Sequence, residues 1–131
     1  MPSGPTHVVA GAFSYAALAL SQHTPPDLAL AGAAVAGLAA LGPDLDLPGS
    51  TASRVLWPIT YPTALLLGWV FGHRGGTHSA LAALAVSCAA WQTLPLTLAA
   101  GVVLGWWSHL VLDAFDPRSR RGIPWLWPLS R

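Results

Sequence analysis

The chain has 131 residues, of which 53% are apolar and only 8% charged, with a net charge of +1 and a mean hydropathy of +0.54. All six basic residues are Arg and all five acids Asp, so the Lys- and Glu-rich surface of an ordinary soluble domain is missing and the composition points to a bilayer. No basic stripe suits nucleic acid, and Cys88, the lone cysteine, rules out an intramolecular disulfide or a CxxC site.

The N-terminal stretch MPSGPTHVVAGAF has no basic n-region and no cleavage pattern, so it reads as a retained helix and not as a removed signal peptide. Apolar helices are predicted over about 7–21, 28–42, 78–92 and 96–114, separated by QHTPPD, a long middle segment and QTLP. The fold expected is all-α: a single membrane-embedded bundle, 1–131, of four short transmembrane helices. At about 1.5 Å per residue, a 15-residue helix covers about 22 Å of a roughly 30 Å hydrocarbon core, so local thinning or flanking apolar residues must supply the rest. Segment 55–72, VLWPITYPTALLLGWVFG, is apolar but carries Pro58 and Pro62, and so is predicted to be re-entrant or interfacial and not a straight span.

With 55–72 entering and leaving on one side, the N-terminus, loop 43–54, the GHRGGTHS stretch and the C-terminus share one face. That face holds Arg54, Arg74, Arg118, Arg120, Arg121 and Arg131, and the positive-inside rule makes it cytoplasmic in a bacterial inner membrane. His7, Asp44, Asp46, His73, His78, His109 and Asp113 gather there as well. His and Asp are common metal ligands, and His109 with Asp113 at i and i+4 point from one helix face. Ionisable side chains at membrane depth are costly unless paired, which a shared ion achieves.

Stepping by four from Asp113 gives His109, Gly105 and Gly101. From Asp44 the same step gives Ala40, Ala36 and Gly32, and from His7 it gives Gly11 and Tyr15, stripes on which helix backbones can approach closely. Local readings stand beside these. Any one His at a helix end also reads as a cap or an interfacial anchor, His109 and Asp113 as a hydrogen-bonded pair, and PDLD as a helix stop. His23 and Asp27 lie at the opposite face with local roles, and the seven tryptophans read as interfacial belts and core.

The series TH at 6–7, GPDLDLP at 42–48, HRGGTHS at 73–79, HLVLDAFDP at 109–117 and RGIPWLWP at 121–128 resembles the YdjM-like family of membrane-bound, predicted metal-dependent hydrolases. The match runs in order over nearly the whole chain. That family is in turn similar to zinc-dependent phospholipase C and the zinc-dependent single-strand nucleases. The resemblance implies His7, Asp44 or Asp46, His78, His109 and Asp113 as ligands. It departs from those enzymes in having no His or acid after Asp116, so one or two ions fit the ligand count better than three.

The expected function is therefore a membrane metal-dependent hydrolase acting on a phosphoester of a lipid or other membrane-proximal substrate. Its cofactor is a divalent metal, zinc first and manganese or iron as alternatives, which activates water. Arg74 is the expected phosphoryl clamp, Thr77 a helix cap in an anion-binding turn, and Asp46 the base if it is not a ligand. Trp57, Tyr61 and Trp69 are expected to roof the site. The alternatives are a non-enzymatic structural or regulatory protein whose helices a metal staples, and a transporter. The apolar helix centres argue against the transporter.

Overall fold

The computed structural model describes residues 3–55, 57–71, 75–116 and 126. Among them the structure is all-helical: α1 (Gly4–Ser21), α2 (Pro26–Ala39), α3 (Thr51–Val55), α4 (Thr60–Phe71), α5 (Ala80–Thr93) and α6 (Leu96–Phe115). Two 3-10 turns, Pro43–Asp46 and Gly76–His78, follow α2 and precede α5.

Prolines place several helix starts. Pro5 and Pro26 fall in first turns, where the missing N–H has no partner to lose, and α6 begins directly after Pro95. The 55–72 segment breaks as its prolines require: a turn at 57–59 separates α3 from α4, and Pro62 sits in the first turn of α4. Twelve residues give α4 a length of about 18 Å, too short to cross a roughly 30 Å core.

Four spans were predicted, and the structure corrects that number. Two helices are long and apolar enough to cross unaided, α2 continued through its 3-10 turn (Pro26–Asp46) and α6 (Leu96–Phe115). α5 is apolar but has 14 residues, and α1 reaches 18 only by including polar groups such as His7, Ser14 and Tyr15, which lower its hydropathy.

Helices α1, α2 and α6 pack on one another, and the stripes of small residues lie at their contacts. On α1 the buried residues are His7, Gly11, Tyr15 and Ala19, a strict step of four. Gly11 and Gly105 both approach the Ala36 carbonyl. A Cβ at Gly11 would lie 2.5 Å from that oxygen, and one at Gly105 would collide with it. A Cβ at Gly32 would strike the Tyr15 ring, and one at Gly101 would lie 2.8 Å from the Gly32 carbonyl. Where lipid tails are as apolar as Leu, such backbone contact is how helices gain attraction. α5 packs on α6, where Trp107 Nε1 donates to Ser87 Oγ (3.3 Å). α4 stands apart on the turn Pro43–Asp46, with Gly68 against the Asp46 carbonyl, while Leu65, Leu66, Trp69 and Val70 stay exposed.

Candidate metal centre

Because α1 and α2 run in opposite directions, as do α5 and α6, the start of α1, the end of α2, the start of α5 and the end of α6 meet at one end of the bundle. There the structure brings together His7, Asp44, Asp46, His78, His109 and Asp113. Side-chain exposure is 2% or less for His7, His78, His109 and Asp113, against 13% for Asp44.

His109 decides what this cluster can do. Its Nδ1 lies 2.6 Å from the Ala40 carbonyl, which can only accept, so Nδ1 carries the proton and Nε2 presents a lone pair. That lone pair faces Asp44 Oδ1 and Asp113 Oδ2, each at 3.8 Å, and has no hydrogen-bond partner among the described residues. A lone pair aimed at two carboxylate oxygens in a buried site is repulsive unless a cation sits between them. His78 Nε2 faces the same two oxygens, at 3.6 Å from Asp44 and 3.8 Å from Asp113.

These separations exceed the roughly 2.7–3.2 Å of N–H···O hydrogen bonds and approach the roughly 3.4 Å edge of a tetrahedron with bonds near 2.1 Å. The ligand atoms of Asp44, His78 and His109, and those of His7, His109 and Asp113, lie within 4.8 Å of one another in each group. Both groups use His109, so they describe one centre, and the donor set fits a divalent ion of the zinc class. His7 joins from the side: its ring stacks on His109 (centroids 3.7 Å apart, 15° between planes) and its Nε2 lies 3.5 Å from Asp113 Oδ1.

Asp44 and Asp46, which the sequence leaves as alternatives, divide between the two faces of His78. Asp44 addresses Nε2, whereas Asp46 Oδ2 lies 3.5 Å from Nδ1 and accepts a 2.6 Å bond from the Thr77 hydroxyl. Asp46 is wholly buried, belongs to neither of these two groups and stands behind the His78 ring, where its carboxylate can orient the imidazole. Burial pushes the His78 pKa down, but the Asp44 and Asp46 carboxylates facing its two nitrogens outweigh it and raise the value to about 9. A cation binding at the centre at neutral pH therefore displaces a proton from His78.

Asp46→Asn tests that arrangement. Loss of the carboxylate behind His78 should weaken zinc affinity by about 10- to 100-fold without emptying a saturated centre, as measured by competition with a chromogenic chelator. An unchanged affinity would remove Asp46 from the design.

The structure corrects the expected cap. α5 begins at Ala80 and not near residue 78, and its cap is Ser79, whose Oγ accepts from the Ala82 N–H (3.1 Å) while donating to the Gly76 carbonyl (2.7 Å). The Thr77 hydroxyl is committed to Asp46. Trp57 and Trp69 are 68% and 85% exposed and do not roof the cluster. His73 and Arg74 lie outside the described residues, as do Arg118, Arg120, Arg121, Arg131, Trp125 and Trp127. At the opposite end, His23 takes a left-handed turn conformation (φ 51°) and Asp27 sits in the first turn of α2, both local roles. The Ala40 carbonyl was not foreseen, since a backbone acceptor leaves no trace in residue types.

No solved structure matches the chain. Inner membrane protein YdjM of Escherichia coli (strain K12) is 37% identical over 97 residues, covering 70% of this chain and 46% of that protein. The protein of the same name from Shigella flexneri matches to the same extent. The chain therefore spans about half the length of these curated relatives. The family model described as YdjM inner membrane protein matches residues 1–131, and the chain belongs to that family.

Proposed function

We propose that the chain is a metal-dependent hydrolase of the bacterial inner membrane, acting on a phosphoester of a lipid or another substrate at the membrane surface. The observation that carries this reading is the buried lone pair of His109 facing two carboxylates. The relatives' name and the arginine distribution support the membrane and a cytoplasmic orientation of the centre. In this reading α2 and α6, the two helices long and apolar enough to cross, span the membrane, and α4 is re-entrant.

Asp44, His78, His109 and Asp113 would hold the ion, zinc in preference to manganese or iron for a His-rich set, with His7 beside them. An ion in such a set acts as a Lewis acid on a phosphoryl oxygen and brings water towards ionisation at neutral pH. Asp46 and Thr77 keep the His78 ring turned towards the centre. Asp44, the partly exposed member, marks the side from which substrate arrives. Arg74, assigned from sequence, pairs with phosphoryl oxygens.

Detergent-purified, metal-loaded protein should hydrolyse phosphoesters in a chelator-sensitive, metal-restored manner. Arg74→Ala should lower kcat by about 100-fold or more while the metal content stays unchanged. Absence of turnover with a filled centre, across lipid and soluble phosphoesters, would leave the second reading, a metal staple. That reading is favoured by one fact: the ligands come from four separate elements.

A further inference from the structure

A groove of about 310 Å³ runs along the turn that carries Asp44, with Leu38, Leu41, Gly42 and Leu45 on one side and Val55 and Thr60 on the other. Its one hydroxyl among these, that of Thr60, donates to the Ser53 carbonyl (2.8 Å), so the walls offer hydrocarbon and no free donor. A polar ligand finds nothing to bond there, whereas a hydrocarbon chain loses water-exposed or loosely packed surface. The floor is firm. Trp106 backs Gly42 so closely that a Cβ at Gly42 would collide with its ring.

Two further facts connect the groove to the centre and to the bilayer. Leu41, Gly42 and Leu45 bracket Asp44 in the chain, so the groove runs along the same turn as the ligand that, among the described ones, has appreciable exposure. The α3–α4 wall continues as an apolar surface with Ile59, Leu65, Leu66 and Trp69 exposed, a surface that suits lipid better than water. A larger apolar groove at the far end, about 520 Å³ and lined in part by Leu20, His23 and Leu30, has none of the ligands near it.

We infer that the groove beside Asp44 is an acyl-chain subsite, holding one hydrocarbon chain of a bilayer phospholipid so that its phosphoester lies at the open side of the metal centre. The inference rests on the proposed hydrolase reading for its purpose, but the occupancy of the groove does not.

The test uses full-length protein in phosphatidylethanolamine–phosphatidylglycerol vesicles that contain a phospholipid with a diazirine in one acyl chain, with labelled residues mapped by mass spectrometry. Leu38, Leu45 and Val55 should be labelled well above Leu20 and Leu30 in the far groove. Val55→Trp fills the groove from a half-exposed position. It should cut groove labelling by roughly tenfold, the loss expected when about two methylenes are no longer buried, with metal content and Leu30 labelling unchanged. Groove labelling no higher than at Leu20 and Leu30, or labelling insensitive to Val55→Trp, overturns the subsite. In turnover assays the same variant should raise KM for a long-chain lipid phosphoester and leave a water-soluble phosphodiester untouched, and equal loss on both also overturns it. If wild-type protein hydrolyses neither substrate, the hydrolase reading fails and the labelling result alone decides the groove.

Discussion

His109→Ala should empty the centre. In wild-type protein, elemental mass spectrometry should find stoichiometric zinc, manganese or iron; the variant should fall to background, and Asp113→Ala should lose much of its metal. His109 is common to both groups of ligand atoms, and Asp113 spreads its two oxygens between His7 on one side and His78 and His109 on the other. Neither trio survives removal of His109, whereas removal of Asp113 leaves Asp44, His78 and His109 with one carboxylate fewer. Stability should drop as well, because an ion that binds only the folded chain contributes about 2.7 kcal/mol at a free concentration 100 times its Kd. The control is Ser14→Ala, whose hydroxyl bonds only within α1. Wild-type protein that holds no metal even after reconstitution would sink the centre and reduce the cluster to helix packing.

Much of this centre is legible from spacing. The step of four that joins His7 to Gly11 and Tyr15, and Asp113 to His109, Gly105 and Gly101, is the burial pattern the helices adopt. Pro58 and Pro62 mark the α3–α4 break for a reason of covalent geometry. Other features depend on backbone conformation that residue types do not encode. In PDLD both acids are two residues apart in a polar turn, and only the 3-10 path of Pro43–Asp46 sends one to Nε2 and the other to Nδ1 of His78. In GTHS either Thr77 or Ser79 suits an N-cap, and the choice follows from where the chain leaves the preceding 3-10 turn. The number of spans is less legible: apolar runs mark four helices, but only α2 with its 3-10 turn and α6 are long and apolar enough to cross unaided, and α5 ends at Thr93 after 14 residues.

Gly105→Ala should destabilise the protein, although the same exchange in a typical helix interior is favourable by about 1 kcal/mol. The reversal follows from backbone contact. A Cβ at residue 105 would collide with the Ala36 carbonyl oxygen and lie 2.9 Å from the Ala39 Cβ, and neither atom belongs to a flexible side chain that can swing away. α6 must then move off α2, at a cost of about 1–3 kcal/mol by the usual scale of overpacking, and more for Gly105→Leu. One turn further along, the same displacement stretches the bond from His109 Nδ1 to the Ala40 carbonyl and draws His109 and Asp113 away from Asp44. Packing and metal binding are thus coupled through a residue that carries no side chain and touches no ligand. Thermal unfolding in detergent and metal content should fall together, in the order Gly105→Leu, Gly105→Ala, wild type. Val111→Leu, on a half-exposed face of α6, should leave both unchanged. Full metal occupancy in Gly105→Leu would mean that α2 and α6 do not meet at Ala36. The centre would then have to be assembled by the turns alone, without the close helix contact that aligns Ala40, Asp44, His109 and Asp113.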